Sequence, residues 1–332
     1  MEHKAINYRL FLFEIIFACL IVLCHVNFQY GDIYIDSLGR SGVLFFFIVS
    51  AYFYNFVLNK DDYRYANSLK RALRLIVIGV ITILLYCVII VPIRFSSLGV
   101  PAFFKEYTYE TFVDFTEHYF PNLSFIWFIF ALAVCYLLFP LINKIKWFHE
   151  NKFSILVPLT ILVLVYVYRI LAIRFDLGFF SKIEITRNFF FAGIPCFLIG
   201  TYIYDHIFEY KEIRAALFWP IIIGLFGICL IEAFLHSLIS NTPNEFYLGS
   251  IAIAVLSVVY AIQHQESKIG ELIYRVFGKT SYMLVYLLHV LFISLLSGPL
   301  SFDFTRLLLI FLVISIPLVL SFIYNFIKKH NQ

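Results

Sequence analysis

A small set of ionisable side chains falls inside otherwise apolar stretches of this sequence. Burying such a group at the centre of a membrane helix costs about 2.5 to 3.5 kcal/mol, so these groups usually face a polar interior and mark a site or a path. Histidine is the most informative type, because a neutral imidazole at physiological pH can accept a proton as a general base. The set comprises Glu14, His25, Arg169, Glu232, His236 and His289, with Arg40, Arg187 and Arg306 at the ends of apolar stretches.

Two spacings group some of these side chains. Glu14 and His25 are eleven residues apart, so on one helix they share a face, with about 16 Å between them along the axis. Tyr282, Tyr286 and His289 stand in an i, i+4, i+7 relation and form a polar stripe on another helix. Two structural interpretations compete with a functional one: an interfacial position for His25, and a core histidine bonded to tyrosine or serine for His289.

Glu232 and His236 form an i, i+4 pair that metal ligation or simple polar contact would explain. Two ligands without a third nearby argue against a metal, so we interpret the pair as a polar contact and predict no metal site. The cysteines also lack a metal or redox spacing, and we expect them to fill space between helices. They are Cys19, Cys24, Cys87, Cys135, Cys196 and Cys229.

The elements that must position these side chains are membrane-spanning helices. The chain is 62% hydrophobic and 14% charged, which leaves too little polar surface to coat a water-soluble domain. Its apolar stretches have the length that a helix needs to cross about 30 Å of hydrocarbon, and they lack the alternation of barrel strands. We therefore predict an all-α, polytopic bundle of about ten transmembrane helices. The predicted spans are 8–27, 41–58, 72–92, 123–142, 154–173, 188–204, 215–236, 246–264, 281–297 and 304–326.

The basic residues predict the orientation of this bundle. Most of the 25 Lys and Arg residues fall in loops that are cytoplasmic if the N-terminus is cytoplasmic, so we predict an N-in, C-in, multi-pass protein of the plasma membrane. The net charge of +4 is small and unclustered, which excludes nucleic acid as a partner. The outer connection 93–122 is acidic and aromatic, and we expect a re-entrant or interfacial element there.

No internal repeat or linker divides the chain, so residues 1–332 are predicted to form a single integral membrane domain. The first apolar stretch reads as an uncleaved signal anchor, because it leads into a multi-span protein. The chain ends at Gln332, directly after the last predicted span, and we expect no soluble C-terminal domain.

Several segments carry a recognisable order of motifs. They are FLFEIIFACLIVLCH ending at His25, GRSGVLFFFIVSAYF (Gly39 to Phe53), LKRALRL (Leu69 to Leu75), SFIWFIFALAVCYLLFPLI (Ser124 to Ile142), RNFFFAGIPCFLIGTYI (Arg187 to Ile203) and GKTSYMLVYLLH (Gly278 to His289). Together they resemble the membrane acyltransferase family 3, integral-membrane enzymes that move acetyl or related groups onto cell-surface glycans and other acceptors. Two positions depart from the family pattern: Glu14 replaces an arginine, and Ala51 replaces the glycine that follows the motif serine, Ser50.

The resemblance implies an O-acyltransferase that moves an acetyl group from cytoplasmic acetyl-CoA to a hydroxyl of a cell-surface or lipid-linked polysaccharide. Acyl transfer needs a base for the acceptor proton and a cation or donor for the developing oxyanion. The implied catalytic residues are His25 as base, Arg40 as cation, and His289. The implied acyl-CoA-binding residues are Glu14, Lys70, Arg71, Arg74, Ser50 and Trp127, the basic loop holding phosphates.

Other interpretations remain open at this point. The basic loop at Lys70, Arg71 and Arg74 is also explained by positive-inside topology alone. A transporter or flippase for a lipid-linked sugar or small solute would use buried ionisable groups equally well, although no inverted repeat is detectable and few spans are broken by Gly or Pro. A membrane sensor or anchor domain would be expected to carry a fused soluble enzyme.

Overall fold

The computed structural model describes residues 6–26, 32–58, 65–98, 126–178, 185–240, 244–296 and 303–330. Within these ranges the chain is all-helical, with a π-helical turn, Phe189–Gly193, before α8 and a 3-10 turn, Ile207–Glu209, after it. The α-helices are α1 (Tyr8–Leu23), α2 (Asp32–Gly39), α3 (Ser41–Leu58), α4 (Tyr65–Leu98), α5 (Trp127–Ile142), α6 (Lys146–Glu150), α7 (Leu156–Arg174), α8 (Ile194–His206), α9 (Ala215–Ser237), α10 (Leu248–Gln263), α11 (Lys268–Phe277), α12 (Ser281–Leu296) and α13 (Asp303–His330).

Each predicted span coincides with one of these helices, and several helices are long and apolar enough to cross a membrane. In the described ranges five segments meet that requirement, and α10 with α11 makes a sixth if two helices bent by 92° count as one span. Helices α5 and α12 are apolar but shorter. The five are Asp32–Phe56, Leu156–Arg174, Phe189–Glu209, Ala215–Ser237 and Thr305–Lys328. The chain is therefore an all-helical membrane protein, while ten spans and the N-in, C-in orientation stay predictions.

Some boundaries differ from the prediction. Helix α1 ends at Leu23, and His25 lies in the turn that follows, where its N–H donates to the Val22 carbonyl at 3.1 Å. Helix α4 is longer than predicted and extends to Leu98. The element expected at 93–122 lies outside the described residues from position 99 onward. Hydropathy also missed α2, α6 and α11, because each is too short or too polar to resemble a span.

Two glycines allow α2 and α3 to approach α1 closely. A Cβ atom at Gly39 would lie 2.4 Å from the Leu20 carbonyl oxygen, and one at Gly42 would lie 2.8 Å from the Phe17 carbonyl oxygen. Any larger residue would push the helices apart. The close approach brings Arg40, which lies between the two glycines, to the end of α1 that carries His25.

One space inside the bundle is surrounded by five helices: α1, α3, α4, α5 and α12. Helix α1 packs against α3 and α12, and α4 packs against α5 and α12. Aromatic side chains fill much of the space; the rings of Phe17 and Phe45 stack with centroids 4.1 Å apart. Polar side chains that the sequence singles out on α1, α3, α4 and α12 also face this interior.

Candidate active site

A cavity of about 340 Å³ opens between α1, α3, α4, α5 and α12. Its lining is mainly apolar, and its polar groups come from one carboxylate, two guanidinium groups and several hydroxyls. These polar residues are Glu14, Ser50, Arg71, Arg74, Tyr136, Tyr282 and Tyr286. Four of the six residues predicted to bind the acyl donor therefore share one cavity, although they lie on three different helices.

The two arginines of the cavity come from the first turns of α4. The guanidinium carbon of Arg71 lies 5.8 Å from the ring centroids of both Tyr54 and Tyr136, within cation–π range. Glu14 is half-buried and lines the same cavity. Neither Arg71 nor Arg74 forms an ion pair with Glu14 in the described part of the chain.

Lys70 and Trp127 do not line this cavity. Lys70 is exposed and, together with Arg74, borders a shallow depression on the outer face of α4. Trp127 packs against Phe47, with ring centroids 6.2 Å apart. The positions of Lys70 and Trp127 in the sequence allow a direct role. In the structure, however, α4 and α5 are rotated so that neither side chain lines the cavity.

His25, in the turn after α1, and His289, on α12, lie close together. The imidazole rings of His25 and His289 have centroids 5.0 Å apart, and His289 is fully buried. The Nδ1 atom of His289 lies 2.5 Å from the Tyr286 carbonyl oxygen. Because a carbonyl only accepts, this contact assigns the proton of a neutral His289 to Nδ1 and leaves Nε2 as its basic nitrogen.

Tyr286 connects the cavity with the histidine pair. Its side chain lines the cavity, and its ring centroid lies 5.8 Å from that of His289. The order along the interior is therefore cavity, Tyr286, His289 and His25. The predicted polar stripe on α12 accounts for this arrangement, because i, i+4 and i+7 positions lie on one helical face.

Arg40 belongs to a buried network of two cations and two anions. Its Nε and Nη2 atoms donate to the two carboxylate oxygens of Asp36 at 2.7 and 2.8 Å, and its Nη1 donates to Glu245 Oε2 at 2.7 Å. The Nε atom of Arg187 donates to the same Glu245 oxygen at 2.6 Å. The thiol of Cys24, one residue before His25, donates to the Asp36 carbonyl oxygen at 3.4 Å, which joins the network to the turn after α1. The network has no net charge and joins three segments that are distant in sequence.

The sequence interpretation missed most of this network. Asp36 stands four residues before Arg40 on a helical turn, and that spacing is the one signal that would have predicted their pairing. Glu245 gives no such signal, since both of its partners are distant in the chain. Arg187 is recognisable in the sequence as a basic residue at the end of an apolar stretch, but its spacing indicates no partner.

Glu232 has a structural role at the start of α10, outside the candidate site. Its carboxylate accepts hydrogen bonds from the N–H groups of Leu248 and Gly249, at 3.0 and 2.9 Å. It therefore caps the first turn of α10, where the helix leaves N–H groups without intrahelical partners. Both of its oxygens are used in this way, and the polar contact with His236 is not needed to explain its burial.

The comparison with known families agrees with this geometry. A family model described as an acyltransferase domain, that of acyltransferase family 3, matches residues 7–326. No match was found among curated proteins or among solved structures. The matched range contains the cavity, the histidine pair and the buried ion network. The chain belongs to acyltransferase family 3.

Proposed function

We propose that this membrane acyltransferase is an O-acetyltransferase of the plasma membrane, which moves the acetyl group of acetyl-CoA to a hydroxyl of a cell-surface or lipid-linked polysaccharide. The observation that carries the proposal is the cavity that passes from Arg71 and Arg74 to Tyr286, next to the His25–His289 pair. The arginines at one end of this path supply the cations that a charged thioester donor requires. The histidines at the other end supply the base that a hydroxyl acceptor requires.

The residues of the cavity fit an acyl-CoA. A mainly apolar cavity of about 340 Å³ suits a slender thioester arm, and guanidinium groups are well matched to phosphate oxygens. Arg71 and Arg74 are the phosphate-binding residues in this proposal, with Lys70 adding charge outside the cavity. Ser50 and Glu14 contact the arm, whereas Trp127 supports the site through its packing against Phe47.

The two histidines carry the proton. The acceptor oxygen forms a bond to the thioester carbonyl carbon while His25 accepts the hydroxyl proton, and the carbon–sulfur bond then breaks. The departing thiolate takes up one proton. This proton moves from His25 to His289, and His289 passes it toward the cavity. Nε2 of His289 suits this relay, because its Nδ1 is held by the Tyr286 carbonyl.

Arg40 has a positioning role in this proposal. Three of its nitrogens are committed to Asp36 and Glu245, so it holds α2 and the segment before α10 beside His25. This differs from the oxyanion role expected from the sequence, which needs donors directed at the reacting carbonyl.

The acceptor reaches His25 from the end of the bundle at which α1 ends. With a cytoplasmic N-terminus this end faces outward, and Arg71 and Arg74 face the cytoplasm, where acetyl-CoA is made. Such an orientation requires the thioester arm of the donor to reach His25 through the interior of the bundle.

The test is release of free CoA thiol from acetyl-CoA by the purified chain in nanodiscs, with and without a cell-surface glycan fraction. We expect release that depends on the chain and increases with the glycan, and that His25→Ala abolishes. A transporter or flippase would leave acetyl-CoA intact. Absence of thiol release under both conditions would reject the proposal.

A further inference from the structure

Arg187 differs from Arg40 in how its guanidinium group is used. Arg40 donates to carboxylates through all three nitrogens, whereas Arg187 donates to Glu245 through Nε alone. Neither Nη group of Arg187 makes a hydrogen bond with a described residue, and 17% of its side chain is exposed. Most of Arg187 is thus buried and held in place, while two parallel N–H donors remain available.

The backbone around Arg187 is held as firmly as its side chain. Asn188 caps the π-helical turn that follows, accepting hydrogen bonds from the N–H groups of Phe190 and Phe191 at 2.8 and 3.0 Å. Its amide also donates to the Ile185 carbonyl at 2.7 Å. The guanidinium of Arg187 is therefore anchored from both the backbone and Glu245, which keeps its two Nη groups in a fixed direction.

The network that holds Arg187 is joined to the turn that carries the proposed base, His25. The thiol of Cys24, the residue before His25, donates to the Asp36 carbonyl oxygen at 3.4 Å, and the Asp36 carboxylate pairs with Arg40. Arg187 and Arg40 donate to the same Glu245 oxygen, Oε2, and their two charges balance those of Asp36 and Glu245. The Nη groups of Arg187 are not used within this neutral network and remain as directed donors.

We propose that Arg187 binds an anionic group of the acceptor, so that the enzyme acts on a glycan bearing a carboxylate or a phosphate near the hydroxyl that it acylates. Two parallel N–H donors match the two oxygens of such a group, and this bidentate geometry is specific to arginine. Binding the anion fixes the sugar and presents its neighbouring hydroxyl to His25. This inference rests on the proposed function for the identity of the acceptor.

The test uses an arginine-directed reagent, phenylglyoxal, on the full chain in nanodiscs, with modification of each arginine followed by mass spectrometry. The probes are glucuronate, which carries a carboxylate, and glucose, which does not. We expect Arg187 to react and Arg40 to be protected by its three bonds. Glucuronate should slow the reaction at Arg187 by about tenfold, as expected for a charge-assisted bidentate contact, and glucose should not. Arg214, which is exposed in the segment before α9, is the internal control and should react equally with either probe.

Two variants separate binding from folding. Arg187→Gln leaves Glu245 bonded to Arg40 but removes one of the two cations of the network, so monodispersity in detergent is measured first as the check on folding. In the folded variant, the acceptor concentration for half-maximal transfer should rise by about tenfold with little change in donor affinity. Arg187→Lys keeps the charge but loses the two parallel donors, and it should recover only part of that loss.

The outcomes distinguish this inference from the proposed function. Equal rates of Arg187 modification with glucuronate and with glucose would overturn the anionic site, and so would the absence of any reaction at Arg187. If glucuronate protects Arg187 but the chain releases no CoA thiol, the anionic site stands and the proposed acetyl transfer falls. If CoA thiol is released but glucuronate does not protect Arg187, the proposed acetyl transfer stands and the anionic site falls.

Discussion

The imidazole rings of His25 and His289 lie with their centroids 5.0 Å apart, although one follows α1 and the other lies on α12. The contact depends on the packing of α1 against α12 and on the turn that ends α1 two residues before His25. His289 has an assigned hydrogen-bonding direction, from Nδ1 to the Tyr286 carbonyl, whereas His25 makes no side-chain hydrogen bond with a described residue. His25 is therefore the ring better suited to meet an acceptor, and His289 the one better suited to pass a proton on.

We predict that His25→Ala lowers the turnover number by about 10²- to 10⁴-fold, because general base catalysis normally contributes that much. The protein should still insert and accumulate, since His25 lies in a turn and its removal breaks no helix. The measurement is CoA thiol release at saturating acetyl-CoA, with monodispersity in detergent as the check on folding. His264→Ala, in the segment after α10, is the matched histidine control and should retain activity. A His25→Ala variant within about threefold of the parent contradicts the catalytic role.

Charge reversal of Arg71 and Arg74 to glutamate should raise the KM for acetyl-CoA far more than it lowers the turnover number. A phosphate clamp that is remote from the reacting carbon contributes binding that is equal in the ground state and the transition state. Initial rates over a range of acetyl-CoA concentrations measure both parameters.

Lys70→Glu is the matched control for that experiment. Lys70 lies on the same helix but outside the cavity, so its reversal should change the KM much less. If all three reversals reduce only the amount of inserted protein and leave the KM unchanged, the basic loop is a topology signal.

The sequence predicted the helices well and their mutual rotation poorly. Apolar length indicates a span directly, which is why each predicted span coincides with a helix. Local spacing also indicated the stripe from Tyr282 to His289, because helical periodicity alone decides which side chains share a face. Lys70 and Trp127 lie outside the cavity because their orientation depends on how α4 and α5 pack, which no local pattern encodes.

The buried ion network could not be predicted from the sequence, for a similar reason. Glu245 receives Arg40 and Arg187 from segments remote in the chain, and each of these residues alone resembles an ordinary loop charge. Its role is visible only when the three segments are packed together. The role of Arg40 shifts accordingly, from a free cation to one held between two carboxylates.

A pH-dependent contribution to stability is expected from His149, which lies on the short helix α6 outside the predicted spans. The hydrogen bond from its Nδ1 to Asp205, at 2.7 Å, raises the pKa of His149 above its ordinary value. A raised folded-state pKa gives stability that is complete below the unfolded pKa of about 6.5 and is lost as the pH rises through the folded-state value. Thermal unfolding in detergent from about pH 5.5 to 8.5 should show this decline. Asp205→Asn should flatten it, and an unchanged slope in that variant would assign the effect to another group.

The last prediction concerns Glu14, the position at which this chain departs from the family. Glu14 lines the cavity with Arg71 and Arg74 but forms no ion pair with either in the described residues, so its charge is not needed to neutralise them. A carboxylate in a cavity that binds an anionic donor is unfavourable at low effective dielectric. We predict that Glu14→Arg is tolerated or improves acetyl-CoA binding, because it adds a cation to the cavity and restores the family pattern.

Glu14→Gln separates the charge of this side chain from its shape. It keeps the fold, since no described partner is lost, and it should lower activity if the carboxyl group positions the donor in the cavity that Glu14 shares with Tyr282. Acetyl-CoA affinity and transfer rate, measured for both variants in nanodiscs, provide the test. An inactive Glu14→Arg together with a fully active Glu14→Gln would show that Glu14 has neither a role in the cavity nor an arginine-equivalent one. In that case the spacing between Glu14 on α1 and His25 in the turn that follows would have no functional meaning.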